Sequence, residues 1–440
     1  MTGSRATGSA VTGSRPTGSA ATGSRGTVGG AGSGGGGDLL SAVRRLLGEQ
    51  GSSALLLVTS SSRDPDLAPF VGPAHLGESL LLVTAAQAWL ACFSPMEREE
   101  AASTGLDLLS PDDLEIARHA RECSEPADFL ARVIASAFAL ARLAPGRIAL
   151  AGHGAAGPVH AAARALEAQG WRFVPGNELV RVARKRKGPA ELAAIRWAAD
   201  STSAALRRVA ERLNAAGAQR GELWLGGERL RVGRLREEIA RVLAERGLEQ
   251  PEGNIVACGG AGGVPHNQGD SEHVVRVGES IVVDLFPHRR LFADCTRTFC
   301  VGEAPETLAK AHAAVLAALR EAHAGALPGV RGFALQERAC ASLAAAGYPT
   351  PLTHPGTLVG YVHGLGHGVG HELHELPSFR KESGPEGVLE IGDVVTLEPG
   401  LYDPDAYGVR LEDLCWLGPQ GLENLTPLPY DLDPKVWVAS

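Results

Sequence analysis

The sequence predicts an α+β protein with an antiparallel sheet and covering helices, preceded by a smaller α/β domain. The chain has 440 residues, which is more than one ordinary domain of roughly 150 residues contains. Between residues 54 and 174, short apolar runs alternate with helical patterns, as in α/β domains. Later apolar runs come in hairpin-like pairs separated by helices, which favours an antiparallel sheet.

Residues 1–37 are predicted to form a disordered tail. Thr-Gly-Ser units repeat with a period of five over residues 2–27, and glycine-rich sequence continues to Gly37. Such a composition buries too little apolar surface to offset chain entropy. A helix capped by Asp38 is then expected to run to about Leu47.

Residues 38–178 are predicted to form the α/β domain. After the first helix, the expected elements are strands Ala54–Val58, Leu80–Val83 and Trp89–Phe93, helices near 112–121 and 126–143, strand Arg147–Ala151, a helix near 158–168 and strand Trp171–Val174. The region contains no catalytic constellation in its sequence, so we expect a supporting or dimerising role.

A basic bend marks the predicted domain junction. Four cations, Arg184 to Lys187, precede a long amphipathic helix that begins at Pro189. Such a run could bind nucleic acid, but a solvated boundary is the commoner role, and the net charge of −8 agrees with it. The second domain is predicted to span residues 179–440.

The second domain is expected to contain three further helices and five strands. The helices lie near 230–247, 304–326 and 332–346, and the strands near 254–258, 280–285, 290–294, 394–398 and 407–417.

Composition excludes several classes of protein. Apolar residues make up 44% and aromatic residues 5%, which indicates a globular protein with few base-stacking side chains. The seven cysteines are odd in number and contain no C-x-x-C, so we expect free thiols in a reducing compartment. Because there is neither an 18-residue apolar run nor a signal peptide, the prediction is a cytoplasmic protein that binds no membrane.

Two short apolar strands that end in aspartates form the first candidate site. A hairpin centred on Arg289 would place Asp284 opposite Asp294. Like charges that face each other are destabilising, so this pair predicts a nearby cation. Solvent-facing aspartates at two strand ends are the alternative.

The same pattern recurs near the carboxyl terminus. Glu398 ends the apolar run Val394–Glu398, and Glu412 ends Gly408–Glu412. Burying four unpaired carboxylates would cost several kcal/mol each, and two divalent cations would cancel a charge of about −4. The two hairpins therefore predict a dinuclear site.

Histidines cluster between these hairpins. Five of the 14 histidines lie within 21 residues, namely His354, His363, His367, His371 and His374. A lone histidine is usually structural, but five in a glycine-rich loop favour a functional role. His371 and His374 are one residue too close for the H-E-x-x-H zinc motif.

Together these blocks resemble the signature of the pita-bread metallopeptidases (family M24), which include methionine aminopeptidase, aminopeptidase P and prolidase. The matching blocks occur in order within residues 175–428 as Val283-Asp284, Ala293–Phe299, His363–Gly370 with His374-Glu375, Thr396–Tyr402 and Gly408–Asp413. The α/β domain and the bend before the long helix are similar to the proline-specific branch, with its creatinase-like amino domain.

The resemblance implies two divalent metal ions. Their ligands would be Asp284, Asp294, His367, Glu398 and Glu412, of which Asp294 and Glu412 would bridge the ions. Hard oxygen ligands with a single imidazole suit Mn, Fe or Co. Mn(II) is the first expectation, with Co, Fe and Zn as alternatives.

The resemblance also implies catalytic and substrate-binding residues. His266 and His374 would donate hydrogen bonds during amide hydrolysis, and Glu398 would shuttle a proton. His363 and Arg410 are expected to bind substrate, and Arg410 also to orient carboxylates. Two positions depart from the family pattern: the aspartates are ten residues apart, one fewer than is common, and Asn267 replaces a frequent tyrosine.

The implied activity is hydrolysis of the N-terminal Xaa-Pro bond of peptides, as by aminopeptidase P. Prolidase, which accepts only dipeptides, is the alternative. A homodimer is expected, since contacts between copies could supply the cap that restricts a prolidase. A creatinase-type C–N hydrolase and a non-enzymatic binding module are less favoured, because both usually lack the ligands that are present here.

Overall fold

The computed structural model describes residues 36–439. Most of the predicted tail therefore lies outside the described residues. Helix α1, Gly36–Gln50, begins two residues before the expected cap, so Asp38 lies in its first turn.

The described amino-terminal part, residues 36–183, contains seven helices and six strands. The helices are α1, α2 (Ala68–Val71), α3 (Arg98–Ser103), α4 (Ile116–Glu122), α5 (Pro126–Leu140), α6 (Ala156–Glu167) and α7 (Asn177–Ala183). The strands are β1 (Ala54–Thr59), β2 (Ser79–Thr84), β3 (Ala88–Cys92), β4 (Asp107–Leu109), β5 (Arg147–Ala151) and β6 (Arg172–Pro175). The predicted elements are confirmed, whereas the short elements α2, α3 and β4 were not predicted.

These strands form one mixed sheet with the order β4-β3-β2-β1-β5-β6. Strand β1 shows why both faces are covered: Leu55 and Leu57 join a core with α1 and α7, and Leu56 joins a core with α5 and α6. The period of two along a strand thus directs apolar side chains to both helical layers. Helix α7 packs on this sheet and contains residues on both sides of the predicted boundary between residues 178 and 179. That boundary therefore stays a prediction.

The remaining described residues contain five helices and thirteen strands. The helices are α8 (Pro189–Ala215), α9 (Val232–Glu245), α10 (Glu306–Gly325), α11 (Gly332–Ala345) and α12 (Pro434–Ala439). The strands are β7 (Gly217–Gln219), β8 (Glu222–Leu225), β9 (Glu228–Arg229), β10 (Asn254–Cys258), β11 (Ile281–Leu285), β12 (Cys295–Phe299), β13 (His367–Gly368), β14 (Glu375–Ser378), β15 (Val394–Leu397), β16 (Gly400–Asp403), β17 (Tyr407–Arg410), β18 (Asp413–Gly418) and β19 (Gly421–Asn424). Three 3₁₀ turns complete the described elements, at Pro95–Glu97, Gly259–Ala261 and Pro385–Gly387.

The strands of this part pair antiparallel, in the sheets β10-β11-β12 and β14-β13-β15-β18-β19 and in the smaller ribbons β7-β8-β9 and β16-β17. Helices α8 and α9 pack on one apolar cluster with β10–β12, and α10 and α11 pack on another. Along β15, Val394 belongs to the first cluster and Val395 to the second. The strands therefore lie between two helix pairs, which confirms the α+β prediction.

The register of the β11–β12 hairpin differs from the predicted one. Asp284 pairs with Thr296, not with Asp294. The difference amounts to two residues, and side chains alternate faces with a period of two. Asp284 and Asp294 therefore still lie on the same face of the ribbon.

The tip of this hairpin explains the difference. Arg290 adopts a φ of 91°, and an isolated bridge joins His288 to Phe292. The hairpin is thus centred on Arg290, and the predicted strand at 290–294 is wrong because these residues form the tip and its exit. The second strand begins only at Cys295, where β12 starts.

The second acidic hairpin is interrupted at its acids. Strand β15 pairs with β18, and β16 with β17, in one continuous register. The first ladder ends at Leu397 opposite Asp413, so the next position places Glu398 opposite Glu412. Pro399 follows Glu398 and cannot donate a ladder hydrogen bond, which accounts for the break.

The prediction that the basic bend is a solvated boundary is wrong. Arg184, Lys185 and Lys187 are buried, and only Arg186 among the four cations is exposed. Most acids that pair with the buried cations, such as Glu375, lie almost 200 residues later in the chain, and Asp66 lies far before the bend. A local charge pattern cannot reveal partners at that separation.

Two further observations bear on the expected environment. Across residues 36–439, no helix combines the length and apolarity that crossing a bilayer requires. All seven cysteines are free, and six of them are buried.

Candidate active site

A groove of about 1390 Å³ brings together the nine residues that the sequence analysis selected. They are His266, Asp284, Asp294, His363, His367, His374, Glu398, Arg410 and Glu412. Of the other clustered histidines, His371 is buried against Glu191, and His354 contacts Thr353 away from the groove lining. Three of the five clustered histidines therefore belong to the candidate site.

Hydrogen bonds join the two acidic hairpins below the groove. Glu412 N donates to Thr296 O at 3.0 Å, and Thr296 Oγ1 donates to Glu412 Oε2 at 2.7 Å. Thr298 Oγ1 bonds Arg410 O at 3.0 Å. Since Asp284 and Asp294 lie on the first hairpin, these contacts bring their carboxylates to those of the second.

The imidazole of His367 completes this group. Its Nε2 lies 3.7 Å from Asp294 Oδ2 and 3.5 Å from Glu398 Oε1. One potential ligand atom each from Asp294, His367 and Glu412 lies within 4.8 Å of the others. On the opposite side of the ring, Nδ1 is 3.1 Å from Gly368 O, which orients Nε2 toward the carboxylates.

The glycines around His367 permit this close packing. A Cβ at Gly366 would lie 2.1 Å from Thr396 O, and one at Gly368 would lie 2.0 Å from Leu376 O. Both distances are far below any real contact, so larger residues cannot occupy these positions without backbone movement. Thr396 also accepts a hydrogen bond from His367 N at its hydroxyl.

The carboxylates are short of positive charge. Burial, followed by Glu412 and Asp284, raises the pKa of Asp294 well above its usual range. Burial and Glu412 raise the pKa of Glu398 in the same direction, and burial and Asp284 raise that of Glu412 to about 8. Within the described residues, the one arginine paired with these acids is Arg410, which bonds Asp284.

Two buried oxygens indicate that cations fit this site. Asp284 Oδ1 and Asp294 Oδ1 have no hydrogen-bond partner, although both side chains are buried. Burial and the neighbouring His374 lower the pKa of His367 to about 3, so its ring is in the neutral form that ligates metals. Four carboxylates and one neutral imidazole form a donor set suited to divalent ions.

Two other clusters of ligand-type side chains differ from this one. In the cluster of Asp64, Asp66 and His153, Asp64 accepts a hydrogen bond from His153 N at 2.6 Å. In the cluster of Cys258, His273 and Glu279, the histidine and the glutamate bond each other at 3.0 Å. The carboxylates of Asp64 and Glu279 already have hydrogen-bond partners, in contrast to Asp284 Oδ1 and Asp294 Oδ1 in the groove.

Tyr402 and Thr296 are parts of the site that the sequence analysis did not select. Arg410 donates to Tyr402 OH at 2.9 Å and to Thr296 Oγ1 at 3.0 Å. The tyrosine hydroxyl also lies 2.7 Å from His363 Nε2. Tyr402 ends the Pro-Gly-Leu-Tyr run after Glu398, and that proximity was the available signal.

Both ring nitrogens of His363 are engaged within the protein. Its Nδ1 lies 2.7 Å from Gly364 O, so Nδ1 carries the hydrogen and Nε2 accepts one from Tyr402 OH. Burial lowers the pKa of His363 to about 3, which agrees with a neutral ring. Because both ring nitrogens are already engaged, the ring can contact a substrate by packing but has no free N–H to donate to it.

The order and geometry of these residues agree with a comparison to known families. Residues 193–418, slightly more than half of the chain, match the model of metallopeptidase family M24. The chain belongs to metallopeptidase family M24. Membership in family M24 implies divalent metal ions, for which the groove contains a suitable donor set.

Individual relatives cover less of the chain than the M24 family match does. A Xaa-Pro dipeptidase from Pyrococcus furiosus is 32% identical over 204 residues, which are 45% of this chain and 55% of that protein. A Xaa-Pro dipeptidase from Pyrococcus horikoshii is 31% identical over 211 residues, or 47% and 57% of the two chains. The chain thus spans little more than half the length of the curated relatives it matches.

Solved structures share the fold over a longer stretch. The prolidase from Pyrococcus horikoshii OT3 superimposes with a TM-score of 0.68 at 21% identity, covering 90% of this chain and 99% of that one. The X-Pro aminopeptidase from Thermotoga maritima gives 0.67 at 22% identity, with coverage of 89% and 98%. These likenesses confirm the M24 pita-bread fold with a preceding α/β region.

Proposed function

We propose that this protein is a dinuclear-metal-dependent peptidase that hydrolyses the N-terminal Xaa-Pro bond of peptides. One observation carries the proposal: four carboxylates and a neutral imidazole converge in the groove with a single paired arginine and two buried oxygens that lack partners. Relatives named Xaa-Pro dipeptidase support the choice of peptide bond.

The five proposed metal ligands are Asp284, Asp294, His367, Glu398 and Glu412. When bound, divalent ions supply a water molecule of lowered pKa and polarise a carbonyl oxygen. The oxygen-rich donor set supports Mn(II) as the native metal, with Co, Fe and Zn as alternatives. Arg410 would hold Asp284 in its ligating orientation through the salt bridge between them.

Three side chains are proposed to act on the substrate. Partial desolvation, together with the nearby His266, lowers the pKa of His374, so this ring stays neutral at pH 7 and can donate one N–H to a peptide oxygen. His266 lines the same groove and would contribute a second donor. Glu398 lines the groove beside His367 and would shuttle a proton to the leaving amine.

The size of the groove in a single chain is compatible with an aminopeptidase, and contacts from a second copy could cap it as in a prolidase. A volume of about 1390 Å³ exceeds the roughly 300–1,000 Å³ typical of small-ligand pockets, so a peptide longer than two residues fits. The second candidate is a prolidase, which the names of the relatives favour. His363 would contact the substrate proline with its ring, which suits an apolar side chain.

Two further proposals concern the setting of the enzyme. We infer a cytoplasmic location, which the seven free cysteines support because thiols persist in reducing compartments. We also propose a homodimer on the basis of the resemblance to the proline-specific branch, and light scattering of the purified protein tests it.

Activity assays with Mn(II) separate the candidates. Purified protein is incubated with an Xaa-Pro dipeptide, an Xaa-Pro-Yaa tripeptide and the matched Xaa-Ala-Yaa tripeptide. Cleavage of both proline substrates but not the alanine control supports an aminopeptidase. Cleavage of the dipeptide alone identifies a prolidase, and hydrolysis of neither by protein with two bound metal ions contradicts the proposal.

A further inference from the structure

A buried ion pair contacts the loop between β13 and β14, residues 369–374, which we call the His374 loop. Lys187 Nζ donates to Glu375 Oε1 and to Lys185 O, the latter at 2.8 Å, and the paired side chains are at most 1% exposed. The second oxygen of Glu375 lies 3.3 Å from Glu372 N and accepts its hydrogen bond. Glu375 therefore connects the lysine to the backbone on both sides of His374.

A second buried cation holds the same loop. Arg184 is 1% exposed, and it donates to the carboxylate of Glu372 and to Pro65 O. Its Nε also lies 3.8 Å from Glu375 Oε2. We call Arg184, Lys187, Glu372 and Glu375 the clamp; it reaches the His374 loop from the basic bend.

The loop has no room to relax toward the clamp. A Cβ at Gly370 would lie 2.3 Å from Glu375 Oε1 and 2.8 Å from Lys187 Cε. Gly370 O also accepts a hydrogen bond from Phe292 N at 2.8 Å, two residues before Asp294. The clamp, the loop and the first acidic hairpin are thus in direct contact.

We propose that Lys187 is a positioning residue that acts through Glu375 to hold His374 beside His367. The two imidazole rings lie 4.2 Å apart, and the clamp contacts the chain immediately before and after His374. Breaking one side of a buried ion pair leaves the partner charge uncompensated, so the loss of Lys187 would release the loop. Only the kinetic part of this inference rests on the proposed function.

Lys185 provides a matched control. It belongs to the same bend and is also buried, but its Nζ donates to Val388 O at 2.6 Å and lies 3.6 Å from Asp393 Oδ2. Neither partner belongs to the His374 loop. A general loss of stability from removing a buried lysine would therefore affect both variants, whereas loss of positioning would affect only one.

Hydrogen–deuterium exchange of the full chain tests the structural claim without any assay of activity. In Lys187→Met, peptides covering residues 368–378 should exchange about tenfold faster than in the parent protein, while Lys185→Met leaves them unchanged. Equal exchange in all three proteins overturns the proposal, as does faster exchange spread over the whole chain in both variants. If Lys187→Met does not fold, Glu375→Gln removes the same charge pair with little change of shape.

Kinetics with Mn(II) and an Xaa-Pro tripeptide test the consequence for the site. Lys187→Met should lower kcat by about 100-fold with KM within about twofold, and Lys187→Arg should recover part of kcat. A parent protein that cleaves no peptide contradicts the proposed function but leaves the exchange result valid. A rise in KM with unchanged kcat overturns positioning of His374.

Discussion

At the scale of one residue, Glu412 shows that a side chain of the candidate site lowers the stability of the metal-free protein. Its side chain is 1% exposed and lies among Asp284, Asp294 and Glu398, while its hydroxyl partner is Thr296. In the metal-free protein the carboxylate is therefore buried beside like charges, which raises its pKa to about 8. Such a residue does not stabilise the metal-free fold, as expected for a side chain whose role is to bind a ligand.

Replacement of Glu412 by Gln should separate metal binding from stability. The amide keeps the shape and the bond from Thr296 but removes a buried negative charge, so the metal-free variant at pH 8 should be at least as stable as the parent protein. Its metal content and turnover should both fall below detection. Metal analysis, urea unfolding and the tripeptide assay measure these effects; a fully active variant would contradict the ligand assignment.

At the scale of elements, the two acidic hairpins depend on each other. Each places carboxylates at a turn or a break in its ladder, and the bonds between Glu412 and Thr296 hold the two together. Neither hairpin alone would bury its acids. The glycine-rich segment with β13 then adds His367 at a distance that larger residues would prevent.

The metal-free protein should lose stability as the pH rises from 7 to 9, which lies above the range in which the histidines of the unfolded chain titrate. The pKa values of Asp294, Glu398 and Glu412 are raised in the fold, with that of Glu412 at about 8. The folded state therefore binds more protons than the unfolded state in this range, and its free energy of unfolding falls with increasing pH. Thermal melting in EDTA at several pH values measures the trend, and excess Mn(II) should reverse it; a melting temperature that rises from pH 7 to 9 without metal would contradict this expectation.

Two glycines of the histidine segment should respond differently to substitution. Gly366→Ala places a Cβ 2.1 Å from Thr396 O and should lower the free energy of unfolding by about 3 kcal/mol, as overpacking does. Gly364→Ala is the control, since no atom beyond its chain neighbours lies within 4 Å of the position that its Cβ would take. Urea denaturation compares the two, and similar losses would show that backbone packing around His367 is looser than described.

At the scale of the whole molecule, two ion pairs join the amino-terminal part to later elements, and their side chains differ greatly in exposure. Arg184 is buried and bonds Pro65 O as well as Glu372. Arg63 reaches Glu249 at 3.1 Å, but both side chains are about 60% exposed or more. Since solvent screens the exposed pair, the buried arginine should carry most of the coupling.

Substitution of these two arginines by Met tests that difference. Arg184→Met should lower the free energy of unfolding by about 2–3 kcal/mol, because it removes the hydrogen bonds of a buried guanidinium to Glu372 and Pro65 O. Arg63→Met should lower it by less than about 1 kcal/mol. Denaturation monitored by fluorescence and by far-UV circular dichroism provides both values, and equal losses would contradict the assignment.

Local patterns in the sequence predicted the longer helices, several strands and the side chains that meet in the groove. Short apolar runs predicted β11 and β15, and the acids that end these runs, the clustered histidines and the resemblance to the M24 signature together pointed to nine residues of the groove lining. Such patterns are local, because strand periodicity and turn residues act over a few neighbours. These patterns predict which side chains share a face of a strand. A register error of two residues leaves that prediction unchanged, because side chains alternate faces with a period of two.

Contacts between residues far apart in the chain became known from the folded structure. Three features could not be predicted from the sequence. They are the centre of the first hairpin at Arg290, the position of Tyr402 between Arg410 and His363, and the burial of Lys187 against Glu375. The lysine and its glutamate are separated by 188 residues. Packing of α7 and α8 against the histidine loop brings them together, and no local propensity encodes a contact at that separation.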